Sequence, residues 1–284
     1  MRQFVSETGL DSDGCIRVGG DKFRYLASVL RLEEGDMLSV RLPSGILQPM
    51  TVARVDGQSK TLTLSLAGSA KSPPGNGAAP IESAGLFRFH LFQFVPKPPK
   101  LDLIIRQATE CGVASIIPVA GEFCQKGNVE SAARKSSPSD SRWRKVITEA
   151  REQSGSPVRT EVLPCRKFDE ALASWEEVPD ADGSAKMAFV LSERSEATLP
   201  VHSAVAREAH RISSLKIAPG NADIAIMVGA EGGISPPELE RARGAGFIPV
   251  HLQTNILRCE TAALYGLAAL QVAVVESDIW KLNG

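Results

Sequence analysis

Two polar stretches late in the chain have the residue types and spacing to hold a ligand. The first is VGAEGGISPPELE, residues 228–240, which follows the apolar run from Asp223 to Val228. Gly229, Gly232 and Gly233 remove side chains, so the backbone can approach a ligand or take positive φ. Ser235 is placed as a helix N-cap, with Pro236 at the first helical position and Glu238 at the third. That is a capping box with proline where helices favour it. The spacing speaks against a phosphate cradle. Neither GxGxxG nor GxxxxGK[ST] occurs, the cap is already filled, and Glu231 would repel an anion. An uncharged or cationic ligand held by backbone groups fits, and so does a bare turn between strand and helix.

The second stretch is HLQTNILRCETAALYG, residues 251–266. A strand ends at Leu252, and Arg258, Cys259, Glu260 and Thr261 open an apolar helix. Glu260 suits the positive end of that helix dipole. Arg258 beside it is either its ion-pair partner or a cation facing a ligand. Ligands of open parallel sheets bind beyond the carboxyl ends of strands. Two polar loops after two nearby strands therefore predict one shared pocket.

The elements that must position these loops can be read from periodicity. Residues 38–42, 50–55 and 61–66 read as short strands with Gly-containing turns, and Phe23, Leu26 and Leu30 mark a helix between residues 21 and 32. A small β-barrel with one helix is expected. KSPPGNGAAPIESAG, residues 71–85, has no periodic apolar face and reads as a linker. From Leu86 strands and helices alternate. LFRFHLFQFV, SIIPVA, TEVLP, AFVLSE, DIAIMV and FIPVHL are strands, several of them continuous apolar runs suited to a parallel sheet covered on both faces. Leu101, Ile104, Ile105 and Ala108, then Trp143, Val146, Ile147 and Ala150, mark amphipathic helices. FDEALASW is a further helix. The last helix, CETAALYGLAALQVAVVE, is apolar nearly all round, which suits burial against the sheet or a second subunit. AARKSSPS, within residues 131–139, reads as a mobile insertion.

Composition narrows the class. The chain has 284 residues and 43% hydrophobic side chains, enough for one large or two ordinary domains. A net charge of -1 excludes a wholly basic nucleic-acid binder. The charge is nevertheless uneven: residues 86–170 carry four more basic than acidic groups, concentrated between Lys126 and Lys167. Such a patch attracts polyanions locally. Five scattered cysteines, with no CxxC pair and no Cys/His cluster, argue against a disulfide framework or a zinc site. No apolar run approaches the roughly 18 residues a membrane span needs, and MRQFVSETG lacks a signal-peptide core. A cytoplasmic protein without a membrane or metal partner is expected.

At this point GAEGGISPPELERARGAGF followed by LQTNILRCETAALYGLAAL resembles the paired signature of the RsmE-type small-subunit ribosomal RNA methyltransferases. These belong to the SPOUT superfamily of knotted methyltransferases. Gly229, Glu231, Gly232 and Gly233 match the first half, and Leu252, Ile256, Leu257, Arg258, Glu260, Thr261 and Ala262 the second. PKPPKLDLIIRQATECGVASIIPV and RWRKVITEAREQSG resemble the family's earlier helices, and MRQFV with VLRLEEGD its N-terminal barrel. Ala230 stands where the family carries Pro and Gln253 where it carries Gly. Arg159 stands near an Arg that usually follows Gln-Ser-Gly directly.

The resemblance implies an α/β fold: a SPOUT-type knotted parallel-sheet methyltransferase domain over residues 86–284, with a C-terminal trefoil knot. A PUA-like β-barrel RNA-binding domain over 1–72 and a linker at 73–85 precede it. The implied cofactor is S-adenosylmethionine, held by Leu191, Gly229, Ala230, Glu231, Gly232, Gly233, Leu252, Gln253, Ile256, Leu257 and Arg258. The implied reaction is methylation of N3 of a uridine in 16S ribosomal RNA, free or in the assembled small subunit, by a homodimer. N3 lies on the Watson–Crick edge, so the base must be splayed out. Its proton must leave, and a cation can stabilise the anion spread over the uracil oxygens. Arg258 is the candidate for that role, and Glu260 or a water for proton acceptor. No metal is needed, because the methyl group is already activated. Arg2, Arg24 and Arg31 on the barrel, and Arg142, Arg144, Lys145, Arg151 and Arg159 on or after the basic helix, are candidate RNA contacts. Two alternatives stay open. One is a non-catalytic RNA-binding protein on the same scaffold, motivated by Gln253. The other is an enzyme acting on another RNA or another atom.

Overall fold

The computed structural model describes residues 3–67, 87–137, 139–180, 183–193, 195, 198–212 and 221–275. The expected linker at 73–85 and the candidate Arg2 lie outside the described residues. The chain divides into two compact units. One is Met1–Ala78 with Arg151–Pro157, and the other is Ala79–Ala150 with Val158–Gly284.

The first unit contains β1 (Phe4–Val5), β2 (Cys15–Val18), α1 (Gly20–Arg24), β3 (Met37–Arg41), β4 (Leu47–Asp56) and β5 (Thr61–Leu66). One π-helical stretch, Tyr25–Val29, continues α1. The strands form one sheet in the order β1-β3-β4-β5-β2. Alternation decides its faces, because successive side chains of a strand point to opposite sides. Leu38 and Val40, Met50 and Val52, and Leu62 and Leu64 all turn inward onto Leu26 and Phe4. The segment 151–157 belongs to this unit through polar contacts. Gln3 Nε2 donates to the carbonyls of Arg151 (2.9 Å) and Ser156 (3.1 Å). Glu152 Oε1 pairs with Lys22 Nζ at 2.7 Å and accepts from the N–H of Val5 at 3.2 Å.

The second unit runs β6 (Phe87–Phe94), α2 (Pro98–Glu110), β7 (Ser115–Ala120), α3 (Lys126–Lys135), α4 (Arg142–Ser154, whose last turn is counted with the first unit), β8 (Glu161–Val162), β9 (Arg166–Lys167), α5 (Phe168–Glu176), β10 (Ala185–Leu191), β11 (Leu199–Pro200), α6 (Val201–Ile212), β12 (Ala222–Val228), α7 (Pro236–Gly244), β13 (Phe247–His251) and α8 (Cys259–Val275). The sheet order is β11-β13-β10-β12-β6-β7-β8, with β9 also on β7. All its pairings are parallel. The strands are apolar on both sides because both sides are covered. Ile224, Ile226 and Val228 face Leu101, Ile105, Leu267 and Leu270 on one face. Ala225 and Met227 face Phe168, Trp175 and Ala242 on the other.

One sequence expectation is corrected here. The segment 131–139 is not a loose insertion along its length. Residues through Lys135 complete α3, Ala132 is buried, and Lys135 Nζ pairs with Asp102 at 3.2 Å. A helix with so few large apolar residues gives little periodic signal, and here polar anchoring holds it down.

Candidate active site

The sheet order explains why two loops far apart in sequence can share a ligand. β10 lies between β12 and β13, with Val190 opposite Met227 and Leu191 opposite Val250. The ends of three adjacent parallel strands therefore release their loops at one edge: Leu191, the turn from Gly229, and the segment from Leu252. Gly266 lets α8 close over this edge. A Cβ there would lie 2.6 Å from Leu191 Cδ1 and 3.0 Å from Ile226 Cδ1.

The glycine loop is largely explained by its own turn. Gly233 N–H donates to Ala230 O at 3.0 Å, and Gly233 has φ +77°. A Cβ on Gly229 would meet Gly233 Cα at 3.0 Å, and one on Gly232 would meet Phe123 Cβ at 2.8 Å. These three glycines thus serve a tight bend first, and that bend leaves its outer backbone exposed. The helix start is as expected. Ser235 Oγ accepts from Glu238 N–H, and Glu238 Oε2 accepts from Ser235 N–H at 3.0 Å. Glu238 has a second partner that periodicity could not reveal, the N–H of Glu122 at 2.8 Å. Gln93, fully buried at the end of β6, donates to the carbonyls of Val228 and Gly229, each at 3.3 Å.

Lys100, in the first turns of α2, is the group that joins the two loops. Its Nζ lies 3.4 Å from Glu231 Oε1 and 3.0 Å from Glu260 Oε2. The N–H of Lys97 also donates to Glu231 Oε1, at 3.3 Å. The Glu260 contact raises the Lys100 ammonium above its ordinary value. Partial burial raises Glu260, but its backbone N–H and Lys100 outweigh that and hold it below the usual carboxylate range. Glu231 behaves alike: burial opposes, and its own backbone N–H, the N–H of Lys97 and Lys100 prevail. Cys259 goes the other way. Burial, then the Glu260 hydrogen bond, push its thiol up to about 12, so it stays protonated. The sequence left open whether Arg258 pairs with Glu260 or faces a ligand. The cation there is Lys100, from PKPPK, some 160 residues earlier in the chain.

Arg258 itself is exposed, immediately before α8, with its carbonyl accepting from Ala262 N–H at 2.7 Å. Gln253 and Ile256 are exposed too, the latter by 87%, while Leu191, Leu252 and Leu257 are half-buried. Ala230 is buried, and Glu231, Gly232 and Gly233 are exposed. This set offers open backbone beside apolar side chains and a paired, hence neutralised, carboxylate. It fits a ligand with a flat apolar portion and a positive or neutral centre, and S-adenosylmethionine has both. Among the described residues, no group of three His, Cys, Asp or Glu is placed to hold a metal. No described helix is long and apolar enough to cross a membrane.

The candidate RNA contacts divide. Arg24 and Arg31 are exposed in the first unit, and Arg142, Arg144, Lys145 and Arg159 in the second. Arg142 Nη2 is held by Asp102 at 2.7 Å. Arg151 is a correction. It is buried and donates to Pro157 O at 3.4 Å, so its guanidinium belongs to the interior of its unit and not to a surface.

A doubly covered parallel sheet with its candidate site on loops at the carboxyl edge defines an α/β ligand-binding domain. The chain belongs to the RNA methyltransferase domain family, whose model matches residues 84–271. It is 26% identical over 254 residues to the ribosomal RNA small subunit methyltransferase E of Bacillus subtilis, covering 89% of this chain and 88% of that protein. It is 27% identical over 271 residues to the ribosomal RNA small subunit methyltransferase E 2 of Borreliella burgdorferi, covering 94% and 96%. In structure it resembles the ribosomal RNA small subunit methyltransferase E of Neisseria gonorrhoeae bound to S-adenosylmethionine. The TM-score is 0.69 at 23% identity, over 96% of this chain and 97% of that one. At that identity the likeness speaks for a common fold.

Proposed function

We propose that this chain methylates N3 of a uridine in the 16S ribosomal RNA of the small subunit, with S-adenosylmethionine as donor. The observation that carries the reading is the convergence of the Gly229–Gly233 turn, Leu191 and the Leu252–Arg258 loop at one sheet edge, in a member of an RNA methyltransferase family. When bound, S-adenosylmethionine supplies a methyl group on a sulfonium, already electrophilic. Leu191, Leu252, Ile256 and Leu257 give it apolar cover, and the outer backbone of Gly229 to Gly233 and of Gln253 gives it hydrogen bonds. Lys100 holds Glu231 and Glu260 so that the two loops keep one spacing. Arg258, exposed beside the site, stabilises the negative charge on the uracil oxygens as the N3 proton is lost. Glu260 is a poor proton acceptor while Lys100 grips it, so solvent takes the proton and Glu260 acts as a positioning residue.

Other parts of the reading belong with this one. Residues 1–72, within the first unit, are a PUA-like barrel that captures RNA, and residues 86–284 carry a trefoil knot. The protein acts as a cytoplasmic homodimer through α8, whose outward face presents Tyr265, Ala268 and Val272 to solvent. The exposed cations, Arg24, Arg31, Arg144, Lys145 and Arg159 foremost, engage phosphates, so binding weakens steeply with salt.

The test is mass spectrometry of nucleosides from unmodified small subunits and from naked 16S RNA, each incubated with the protein and S-adenosylmethionine. N3-methyluridine is expected. Its absence from both substrates overturns the proposal, and a different methylated nucleoside redirects it.

A further inference from the structure

A cavity of about 320 Å³ opens beside the glycine loop, lined among others by Lys97, Phe123, Gln125, Asn128, Glu231 and Gly232. That volume is at the small end of ligand pockets, about right for one planar ring. Its walls come from four places at the same sheet edge: the ends of β6 and β7, the start of α3 and the glycine turn. Phe123 is unusual within its unit. The other phenylalanines described there are buried, whereas Phe123 is 47% exposed. It also packs directly on the cofactor-loop candidate, since a Cβ on Gly232 would come within 2.8 Å of Phe123 Cβ. The polar lining is rich in donors. Asn128 Nδ2 donates to Gln125 Oε1 at 3.4 Å, which leaves the Gln125 amide NH2 to donate elsewhere. Glu231, the one carboxylate, is occupied by Lys100 and the N–H of Lys97.

We infer that this cavity holds the uracil base of the target nucleotide, with Phe123 against the ring face and Lys97, Gln125 and Asn128 at its carbonyl oxygens. The inference rests on the function proposed above and names its base-recognition residues. Unstacked RNA bases are commonly held on an aromatic face and read by hydrogen bonds along their edges. Donors at O2 and O4 serve two ends. An ammonium can only donate, so Lys97 donates to uracil O4 and disfavours the amino group of cytosine at the same place. The same donors stabilise charge that moves onto those oxygens when the N3 proton departs.

The experiment is a fluorine NMR titration with a single-stranded pentanucleotide bearing one 5-fluorouridine, and a matched one bearing 5-fluorocytidine. S-adenosylmethionine affinity by calorimetry and methyl transfer to unmodified small subunits run in parallel. Phe123→Ala is expected to weaken the fluorouridine oligonucleotide by roughly 5- to 150-fold, the range for losing one base–aromatic stack. It should lower kcat/KM similarly and leave cofactor affinity unchanged, and Phe123→Tyr should restore both. Lys97→Met should narrow the preference for uridine over cytidine. Wild-type oligonucleotide binding and wild-type kcat/KM in Phe123→Ala would overturn the inference while leaving the methylation standing. So would an equal loss of cofactor affinity, which would mark Phe123 as a prop for the glycine turn. If the wild-type protein methylates nothing yet binds the oligonucleotide through Phe123, the base pocket stands and the reaction falls.

Discussion

Arg258 and Lys100 divide the charge of the site between them, one facing solvent and one facing inward. Arg258→Ala should cut turnover by about 10²- to 10³-fold, on the scale of removing one preorganised donor, with little change in S-adenosylmethionine affinity. Steady-state kinetics beside calorimetry checks it, and equal loss of both would mean a structural role. Lys100→Met should do the reverse. It leaves Glu231 and Glu260, both within 3.4 Å of the lost ammonium, facing each other without a counter-ion. Cofactor affinity should fall by up to about fivefold, as for exposed ion pairs, and added salt should recover part of it by screening. Calorimetry at two ionic strengths decides. Arg258 could be singled out from its motif, as a candidate. The role of Lys100 could not, because its partners lie more than 130 residues away and no local period encodes such a contact.

At the scale of elements, the glycines separate what sequence can and cannot say. The start of α7 was readable in full, since Ser-Pro-Pro-Glu is a local signal and the cap formed as expected. The parallel sheet was readable too, from continuous apolar runs such as Asp223–Val228. The strand in TEVLP was readable and forms β8, whereas β9 and β11 were missed, being two residues each and defined by pairing rather than pattern. Gly266 shows the same limit. In sequence it is one small residue in an apolar helix; in the fold it is the contact point between α8 and the ends of β10 and β12. Gly266→Ala forces a methyl to 2.6 Å from Leu191 Cδ1. The cost should be at most about 1 kcal/mol, because the overpacking falls on the movable ends of Leu191 and Ile226 and alanine favours the helix. Cofactor affinity should drop as Leu191 is displaced. Denaturant melts and calorimetry on the same variant test both halves.

For the molecule as a whole, acid is the most informative stress. Asp223, nearly buried, takes Arg88 at 2.6 Å and His90 at 2.7 Å at the opposite edge of the sheet from the site. Burial pushes its carboxyl up, but the His90 and Arg88 hydrogen bonds win and hold it below the ordinary range. A depressed folded value means this stability is fully present above the unfolded value near about 3.9. It is lost as pH falls through the folded one. Asp223→Asn should therefore cost about 1–3 kcal/mol at neutral pH, and the gap from wild type should close in strong acid. Thermal melts from pH 7 downward measure it. The bridge at Lys100 has a consequence of a different kind, one of timing. Because one cation grips both loops, a ligand that settles on either should quiet the other, so the two behave as a single latch. Hydrogen exchange should slow at residues 230–233 and 254–258 in one concerted step on adding S-adenosylmethionine, and in Lys100→Met the two segments should slow at separate ligand concentrations.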